Sequence, residues 1–335
     1  MKQMNKLTKT IKTFSIIVIF TLSFLYAGLI FSGGYFQTKT QTNDTDIIKP
    51  IKKTPKVTVL MSTFNRAAYL PGAIESILNQ TFKNFEFIIV NDGSTDNTDK
   101  ILTAYAKKDS RIKIINNHRN KGLIDSLNHG LDLSTGQYIA RMDDDDLSLP
   151  YRLELQTKYL DAHPEITVLG GAYITREDNI RRMGGPATPE MAKIISYIRV
   201  PVMHPTTMIR RDFLKEHSIR YNAKYPSSED NDFFHQIAIK GGKILNLKNP
   251  LLIYALHSPK AREYRSVQAD SHNRFVLDTL APYMDTKKIA PTAEGICYIL
   301  NQMEQAAVRN QLDIDLPSVR QLILYRNCQS GIIEN

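Results

Sequence analysis

Residues 57–98 read VTVLMSTFNRAAYLPGAIESILNQTFKNFEFIIVNDGSTDNT, and this stretch decides the fold. It begins with a short apolar run, Val57–Ser62, that is typical of a buried β-strand. The segment Tyr69–Gln80 then places apolar residues at helical spacing, and a second apolar run follows at Phe85–Val90. A strand, a helix and a strand in this order are typical of a βαβ unit with a parallel sheet.

The same alternation continues beyond this unit. The pattern predicts a helix from the capping residues Ser94–Asp96 to about Lys107, strands at Arg111–Asn116 and Gly136–Met142, and helices at Leu123–Leu133 and Tyr151–Ala162. We therefore expect an α/β protein with a Rossmann-like, mostly parallel central sheet that is flanked by helices.

Polar loops follow three of the predicted strands. They are TFNR (63–66), NDGS (91–94) and DDDD (143–146). In an open parallel sheet, ligands bind outside the carboxyl ends of the strands, where such loops converge. The sequence therefore predicts a binding site on one rim of the sheet.

The run Asp143–Asp146 is the most specific of these loops. Four adjacent carboxylates repel one another, and in a cleft they raise their own pKa values or require a cation. Mg²⁺ and Mn²⁺ prefer such oxygen ligands. Because side chains alternate along an extended chain, Asp143 and Asp145 share a side and form a D-x-D pair. A solvated acidic loop or an adventitious calcium site is the alternative.

Asp92 follows the strand Phe85–Val90 closely and precedes Gly93. We expect its carboxylate at the mouth of the cleft, where it can accept hydrogen bonds from a base or a ribose. A turn or helix-capping role within NDGS is the alternative.

Several motifs together resemble a known family. The opening stretch, 57–98, is the first of them. The others are NKGLIDSLNHGLDLSTGQYIARMDDDDLSLPYRLELQ (120–156), HPTTMIRR (204–211) and SSEDNDFF (227–234). From about Lys56 to His257 the chain closely resembles the family 2 inverting glycosyltransferases of the GT-A fold. The resemblance implies a nucleotide-diphosphate sugar as donor, a divalent metal (Mn²⁺ or Mg²⁺) as cofactor, and a hydroxyl acceptor on a glycan, a lipid or a protein-linked glycan.

The resemblance also implies roles for single residues. The nucleotide-sugar contacts would come from Thr63, Asn65, Asp92, Lys121, Gly122, Asp125, Asp143 and Asp144. Asp145 and His257 would hold the metal, and Asp230 would be the catalytic base. His204 and Glu229 would belong to a loop that faces the sugar or the acceptor.

Two of these histidines have alternatives. His204 precedes a proline and is otherwise an ordinary turn residue. His257 lies in a motif that departs from the family, because Tyr254 is followed by Ala255 and Leu256 where the family often has an arginine.

The segment SSEDND supplies the carboxylates of the predicted base. It leads into an apolar helix that we expect to start near Asp230 or Asn231. Adjacent side chains point in different directions, so only one of Glu229 and Asp230 can face the acceptor. A helix N-terminus favours the ionised carboxylate, which can then accept a proton. The alternative is that both residues merely cap the helix, a role that contributes about 1 kcal/mol.

The N-terminus carries most of the formal net charge of +9: nine of the 43 Lys and Arg lie within residues 1–56, against two of the 34 Asp and Glu. The rest of the chain is nearly balanced, which argues against a nucleic-acid-binding surface. Two cysteines, Cys297 and Cys328, are too few for a disulfide framework or a zinc cage of the usual spacing.

An uncharged apolar run, Phe14–Phe31, is just long enough to span a bilayer. It predicts an uncleaved single-pass anchor with the N-terminus in the cytoplasm; a cleaved signal peptide is the alternative, and the side on which the catalytic domain lies is left open. The predicted segments are a basic N-terminus (1–13), the anchor (14–31), a stalk (32–55), the GT-A domain (56–258) and a helical C-terminal extension (259–335).

The predicted function is thus a membrane-anchored, metal-dependent inverting glycosyltransferase. A nucleotidyltransferase on a similar sheet is one alternative, but the loop STFNRAAY (62–69) lacks the glycines of the usual phosphate loop. A non-catalytic nucleotide- or glycan-binding module is the other. Such a module is expected to lose the D-x-D or the ED pair, and both are present.

Overall fold

The computed structural model describes residues 54–255 and, within 270–279, all residues except 273 and 277. The predicted basic N-terminus and anchor, nearly all of the stalk, His257 and most of the C-terminal extension lie outside these residues. Within the described part, no helix is both long and apolar enough to cross a bilayer. The span Phe14–Phe31 therefore stays a prediction.

Strands and helices alternate along the described chain. The strands are β1 (Val57–Thr63), β2 (Phe85–Asn91), β3 (Ile112–Asn116), β4 (Tyr138–Met142), β5 (Leu147–Ser148), β6 (Ile166–Thr175), β7 (Arg181–Arg182), β8 (Met208–Arg210) and β9 (Lys243–Tyr254). The helices are α1 (Leu70–Leu78), α2 (Thr98–Lys108), α3 (Leu123–Leu133), α4 (Arg152–Ala162), α5 (Pro189–Ile195), α6 (Arg211–Glu216) and α7 (Glu229–Ile239). A short 3₁₀ turn spans His204–Thr206, and the described residues of 270–279 are helical.

The strands form one sheet in the order β3-β2-β1-β4-β8-β6-β9-β5, with β7 paired to β6. In the first half β1 to β4 run parallel, and Val57 of β1 lies between Phe85 of β2 and Tyr138 of β4. The second half is mixed, because β8 is antiparallel to β4 and β6 whereas β9 is parallel to β6. The predicted parallel α/β arrangement is confirmed for the first half, and the second half adds strands that the sequence analysis did not predict.

The register brings the carboxyl ends of the parallel strands together. Thr63 at the end of β1 lies opposite Asn91 at the end of β2. The acidic loop, Asp143–Asp146, follows β4 directly and leads into β5, where Leu147 pairs with Ile253 near the end of β9. The acidic loop therefore lies at the predicted rim, next to the end of the last described strand.

Side-chain alternation divides the core between the two faces of the sheet. Val57, Val59 and Met61 of β1 pack on one face with residues of α1 and α4. Leu60 and Ile139 pack on the other face with residues of α3 and α7. Because helices cover both faces, the central strands are continuous apolar runs rather than alternating ones.

One predicted boundary differs for a clear physical reason. The fourth strand begins at Tyr138 and not at Gly136. Gly136 N donates to Thr58 Oγ1 at 2.9 Å, and a Cβ at this position would lie 2.4 Å from Thr58 N. The backbone crosses close to β1 here, which only glycine permits.

Candidate active site

The loops after β1 and β2 are joined by hydrogen bonds. Asp92 N donates to Thr63 O at 2.9 Å, and Asn65 N donates to Ser94 Oγ at 3.0 Å. Asn65 adopts φ 54°, and its Oδ1 accepts a hydrogen bond from Thr95 N at 2.8 Å. The side chain of Asn65 therefore ties the two loops together at the rim where the sequence predicted a nucleoside contact.

Asp92 is buried and its carboxylate is bonded on both oxygens. Oδ1 accepts from Asn117 Nδ2 at 2.7 Å and from Lys121 N at 3.0 Å, and Oδ2 accepts from Gly122 N at 2.8 Å. Gly122 has φ 91°, a conformation that favours glycine. Asp92 thus shapes the loop before α3, a role that the sequence analysis did not consider. A contact between Asp92 and the nucleoside stays a prediction.

The other predicted nucleoside-binding residues lie along the same loops. Thr63 is buried at the end of β1, and Gly122 is half-buried. Lys121 and Asp125 are exposed on either side of the start of α3. The structure therefore brings these residues to the rim of the sheet, as the sequence predicted, and leaves their contacts with a ligand as predictions.

Two arginines form ion pairs with carboxylates of the acidic loop, and a third, Arg176, donates to the Asp145 carbonyl at 2.7 Å. Arg141, at the end of β4, forms an ion pair with Asp143. Arg66, in the loop after β1, places its guanidinium 4.0 Å from the Asp144 carboxylate and 3.7 Å from that of Asp145. Positive charge therefore reaches this loop from within the sheet and from across the cleft.

Asp146 extends the predicted D-x-D pair. It is fully buried, and its Oδ1 accepts a hydrogen bond from Ala255 N at 2.9 Å. Its Oδ2 is buried and makes no hydrogen bond within the described residues. Carboxylate oxygens of Asp143, Asp145 and Asp146 all lie within 4.8 Å of one another. The sequence analysis had not assigned a role to Asp146.

The electrostatics of this loop favour a bound cation. Burial raises the pKa of Asp144 to about 7, and the neighbouring carboxylates of Asp145 and Asp143 act in the same direction. Burial, again with help from Asp143 and Asp145, raises the pKa of Asp146 to about 8. Buried carboxylates of this kind suit a hard divalent cation with oxygen ligands, and their burial is inconsistent with a merely solvated loop. The second predicted metal ligand, His257, lies outside the described residues.

The predicted base lies at the start of α7, which begins at Glu229, one residue earlier than expected. Burial raises the pKa of Glu229 to about 7, with a further contribution from Asp230. Burial also raises the pKa of Asp230, against the opposing effects of the Asn231 N–H, which donates to its Oδ1 at 2.9 Å, and of Arg141. Burial thus outweighs the helix N-terminus that was expected to favour the ionised form.

His204 is buried in an aromatic cluster. Its Nε2 lies 2.7 Å from the Tyr221 hydroxyl, and its ring meets Phe234 edge-on at 5.6 Å. Burial, together with the charge of Arg141, holds its pKa well below the usual value, so the ring is neutral. His204 therefore begins the 3₁₀ turn and also packs in the core. A contact between His204 and the sugar or the acceptor stays a prediction.

Arg141 is the main site residue that sequence reasoning missed. The available signal was a single arginine inside the apolar strand GQYIARM, two positions before Asp143. Only 5% of the residue is exposed, and a buried charge requires a partner. It forms an ion pair with Asp143 of the acidic loop, and its charge also opposes the rise that burial causes in the pKa of Asp230 of α7.

A parallel half-sheet that ends in polar loops, with a buried acidic loop near a carboxylate pair, is the arrangement expected of GT-A glycosyltransferases. The comparisons with known proteins agree. Residues 58–218 match the family model described as glycosyl transferase family 2. The chain is 32% identical over 243 residues to an uncharacterized glycosyltransferase of Haemophilus influenzae, which covers 69% of this chain and 75% of the relative. The chain therefore belongs to glycosyl transferase family 2, and it is a glycosyltransferase.

Solved structures share the fold. The structure of S. aureus TarS 1–349 in complex with UDP-GlcNAc superposes with a TM-score of 0.55 at 19% identity, covering 82% of this chain and 90% of that chain. The mannosyltransferase PcManGT from Pyrobaculum calidifontis, in complex with GDP-Man and Mn²⁺, gives a TM-score of 0.50 at 18% identity, covering 84% and 77%. The chain thus has an α/β fold of the GT-A type.

Proposed function

We propose that this glycosyltransferase transfers a sugar from a nucleotide-diphosphate sugar to a hydroxyl group on a glycan, a lipid or a protein-linked glycan, with inversion at the anomeric carbon. The observation that carries the proposal is the acidic loop at the carboxyl end of the parallel half-sheet, where carboxylate oxygens of Asp143, Asp145 and Asp146 lie within 4.8 Å of one another. The ligands UDP-GlcNAc and GDP-Man in the two structures of similar fold support the donor class.

The reaction is a single displacement. Asp230 takes the proton of the acceptor hydroxyl while the acceptor oxygen bonds to the anomeric carbon. The bond from that carbon to the diphosphate breaks on the opposite face, and the leaving group takes the electron pair. Because the two bonds lie on opposite faces, the configuration inverts. Burial raises the pKa of Asp230, which makes it a stronger base once it is ionised.

A divalent cation belongs to the same proposal. When bound, such a cation neutralises the negative charge of the departing diphosphate. Asp143, Asp145 and Asp146 would hold it, since their oxygens lie within 4.8 Å of one another and two of the three are largely buried. The Mn²⁺ in the PcManGT structure supports this choice of metal.

The test is a donor screen with the purified chain and Mn²⁺. Candidate UDP-, GDP- and dTDP-sugars are incubated with and without hydroxyl acceptors, and release of the nucleoside diphosphate is measured. Release from at least one donor, slow without acceptor, is expected. NMR of the product tests inversion, and a product that keeps the donor configuration would contradict the mechanism. Nucleotide binding without any turnover would instead favour a non-catalytic module.

Membrane attachment through Phe14–Phe31, with the N-terminus in the cytoplasm, completes the proposal. Two features support this attachment: the basic residues before Phe14–Phe31 and the absence of charged residues within that run. Fractionation of cells that express the full chain tests it. Recovery of the intact, unprocessed chain in the membrane fraction is expected, whereas a shortened secreted product would indicate a cleaved signal peptide.

A further inference from the structure

Arg141 occupies an unusual position for a cation. Side chains alternate along β4, so Arg141 points to the same face of the sheet as Ile139, which packs with residues of α3 and α7. The residue is buried, and its Nε makes no hydrogen bond within the described part of the chain. Because a buried charge is costly unless it is balanced, the groups around Arg141 indicate what it does.

On the donor side, the main chain of Arg141 is hydrogen-bonded through both its N–H and its carbonyl, and its side chain contacts the acidic loop. Its main-chain N donates to Thr207 O at 3.0 Å, and its carbonyl accepts from Arg152 Nη2 at 2.7 Å. Its guanidinium forms the ion pair with Asp143, the first residue of the D-x-D pair. The strand therefore fixes the cation, and the cation fixes the first carboxylate of the loop.

On the acceptor side, the same charge reaches the start of α7. Burial raises the pKa of Glu229 and of Asp230, and the charge of Arg141 opposes the rise in both. The charge also acts on Tyr221, whose ring stacks on Phe233 of α7 at 4.1 Å. Arg141 thus interacts with carboxylates on two elements that are far apart in the sequence.

We propose that Arg141 is a positioning residue: its guanidinium holds Asp143 on the donor side through an ion pair, and its charge lies on the face of the sheet that α7 covers, where it offsets part of the negative charge of the Glu229–Asp230 pair on the acceptor side. This inference rests on the proposed function. Without the cation, the carboxylates repel one another and move apart. A displacement of about 1 Å between reacting groups can cost about 100-fold in rate.

Arg210 shows what a purely structural arginine does in the same sheet. It lies on β8, next to β4, and its guanidinium donates to the main-chain carbonyls of Leu160 at 2.6 Å, Ile166 at 2.7 Å and His163 at 2.9 Å. None of these acceptors belongs to the site. Arg210 therefore provides a matched control for Arg141.

The main experiment compares Arg141→Met, Arg141→Lys and Arg210→Met in the full chain. Arg141→Met is expected to lower kcat by about 100-fold or more, while the Kd of UDP or GDP, whichever the wild type binds, changes by less than tenfold. Arg141→Lys should recover part of kcat, because it keeps the charge but not the planar fork. Arg210→Met should lower Tm and keep kcat per folded molecule. Near-normal kcat in Arg141→Met, or a parallel loss of kcat and nucleotide affinity, would overturn the inference.

A second measurement does not depend on turnover. Thermal unfolding at pH 8 is compared for wild type, Arg141→Met, Asp230→Asn and the double variant. If Arg141 balances Asp230, Asp230→Asn should lower Tm less, or raise it, in the Arg141→Met background; equal shifts in both backgrounds would overturn the inference. A wild type that binds nucleotide but turns over no donor would refute the proposed function, whereas this cycle would still decide the link between Arg141 and Asp230.

Discussion

Asp92→Asn tests whether a single carboxylate shapes the loop before α3. The buried carboxylate accepts hydrogen bonds from Asn117 Nδ2 at 2.7 Å, Lys121 N at 3.0 Å and Gly122 N at 2.8 Å. Asparagine has nearly the same shape but only one acceptor oxygen. Its amide NH₂ would therefore face at least one main-chain N–H. Lys121 N would then lose its bond to this side chain, or Gly122 N would keep only its second bond, to Asn120 Oδ1 at 2.9 Å.

The expected loss can be estimated from these contacts. A hydrogen bond to a charged group contributes about 1.5–3 kcal/mol, and a buried donor without a partner costs about 1–3 kcal/mol. Because the bonds to one carboxylate are not additive, we expect the free energy of unfolding to fall by about 2–4 kcal/mol. For a domain of this size the fall corresponds to a Tm lower by roughly 5–15 °C.

Thermal and urea unfolding of the purified variant, together with titration of UDP and GDP, measure the effect. Asp99→Asn is the control, since Asp99 is exposed and its contact with Asn116 Nδ2 is long at 3.4 Å; it should change the free energy of unfolding by less than about 1 kcal/mol. We expect Asp92→Asn to lose both stability and nucleotide affinity. Lost affinity at an unchanged Tm would mean that Asp92 serves only the ligand, and it would refute the structural role.

Four further predictions concern the site and the N-terminal residues 1–49. Activity should require a divalent cation, and Asp145→Ala should abolish both activity and the Mn²⁺-induced rise in Tm; full turnover in excess chelator would contradict the metal role. In chelator the protein should lose stability as pH rises from about 4 to 8, because Asp146 has a pKa of about 8 when folded and near 4 when unfolded; Asp146→Asn should flatten this dependence in unfolding scans, and an unchanged slope would speak against it. Asp230→Asn should lower turnover by about 100-fold or more and keep nucleotide affinity within a few-fold of the wild type. Near-normal turnover of this variant, together with an inactive Glu229→Gln variant, would identify Glu229 as the base instead. Deletion of residues 1–49 should give a soluble chain with unchanged donor affinity in calorimetry, and a soluble chain that binds no donor would show that these residues belong to the site.

The first half of the sheet could be predicted because its signal is local. Val57–Ser62 and Phe85–Val90 are apolar runs of strand length, and the helix between them has clear periodicity. The second half could not be predicted in the same way. In β9, for example, Asn246 and Pro250 interrupt the pattern, and the register shifts on either side of Ala172 in its partner β6. Irregular pairing of this kind depends on tertiary contacts that no short window contains.

The site, too, has features that the local sequence predicts and features that depend on tertiary contacts. The chemistry of DDDD and of the ED pair could be predicted from residue type, position after a strand and family resemblance. The link through Arg141 could not, because β4 and α7 are brought together only by the fold. The direction of the Asp230 pKa also depends on how deeply the start of α7 is buried, and the helix N-terminus alone predicted the opposite direction.

The hydrogen bond from Ala255 N to Asp146 joins residues that are 109 positions apart. During synthesis on the ribosome, β1 to β4 emerge long before Ala255, and the parallel half of the sheet can form early. The acidic loop, however, cannot form its hydrogen bond with Ala255 N until β9 has left the exit tunnel and paired with β5. If the proposed function holds, a nascent chain that stops before β9 should bind a metal–nucleotide complex poorly. The chain should then acquire donor binding only near the end of translation of this domain.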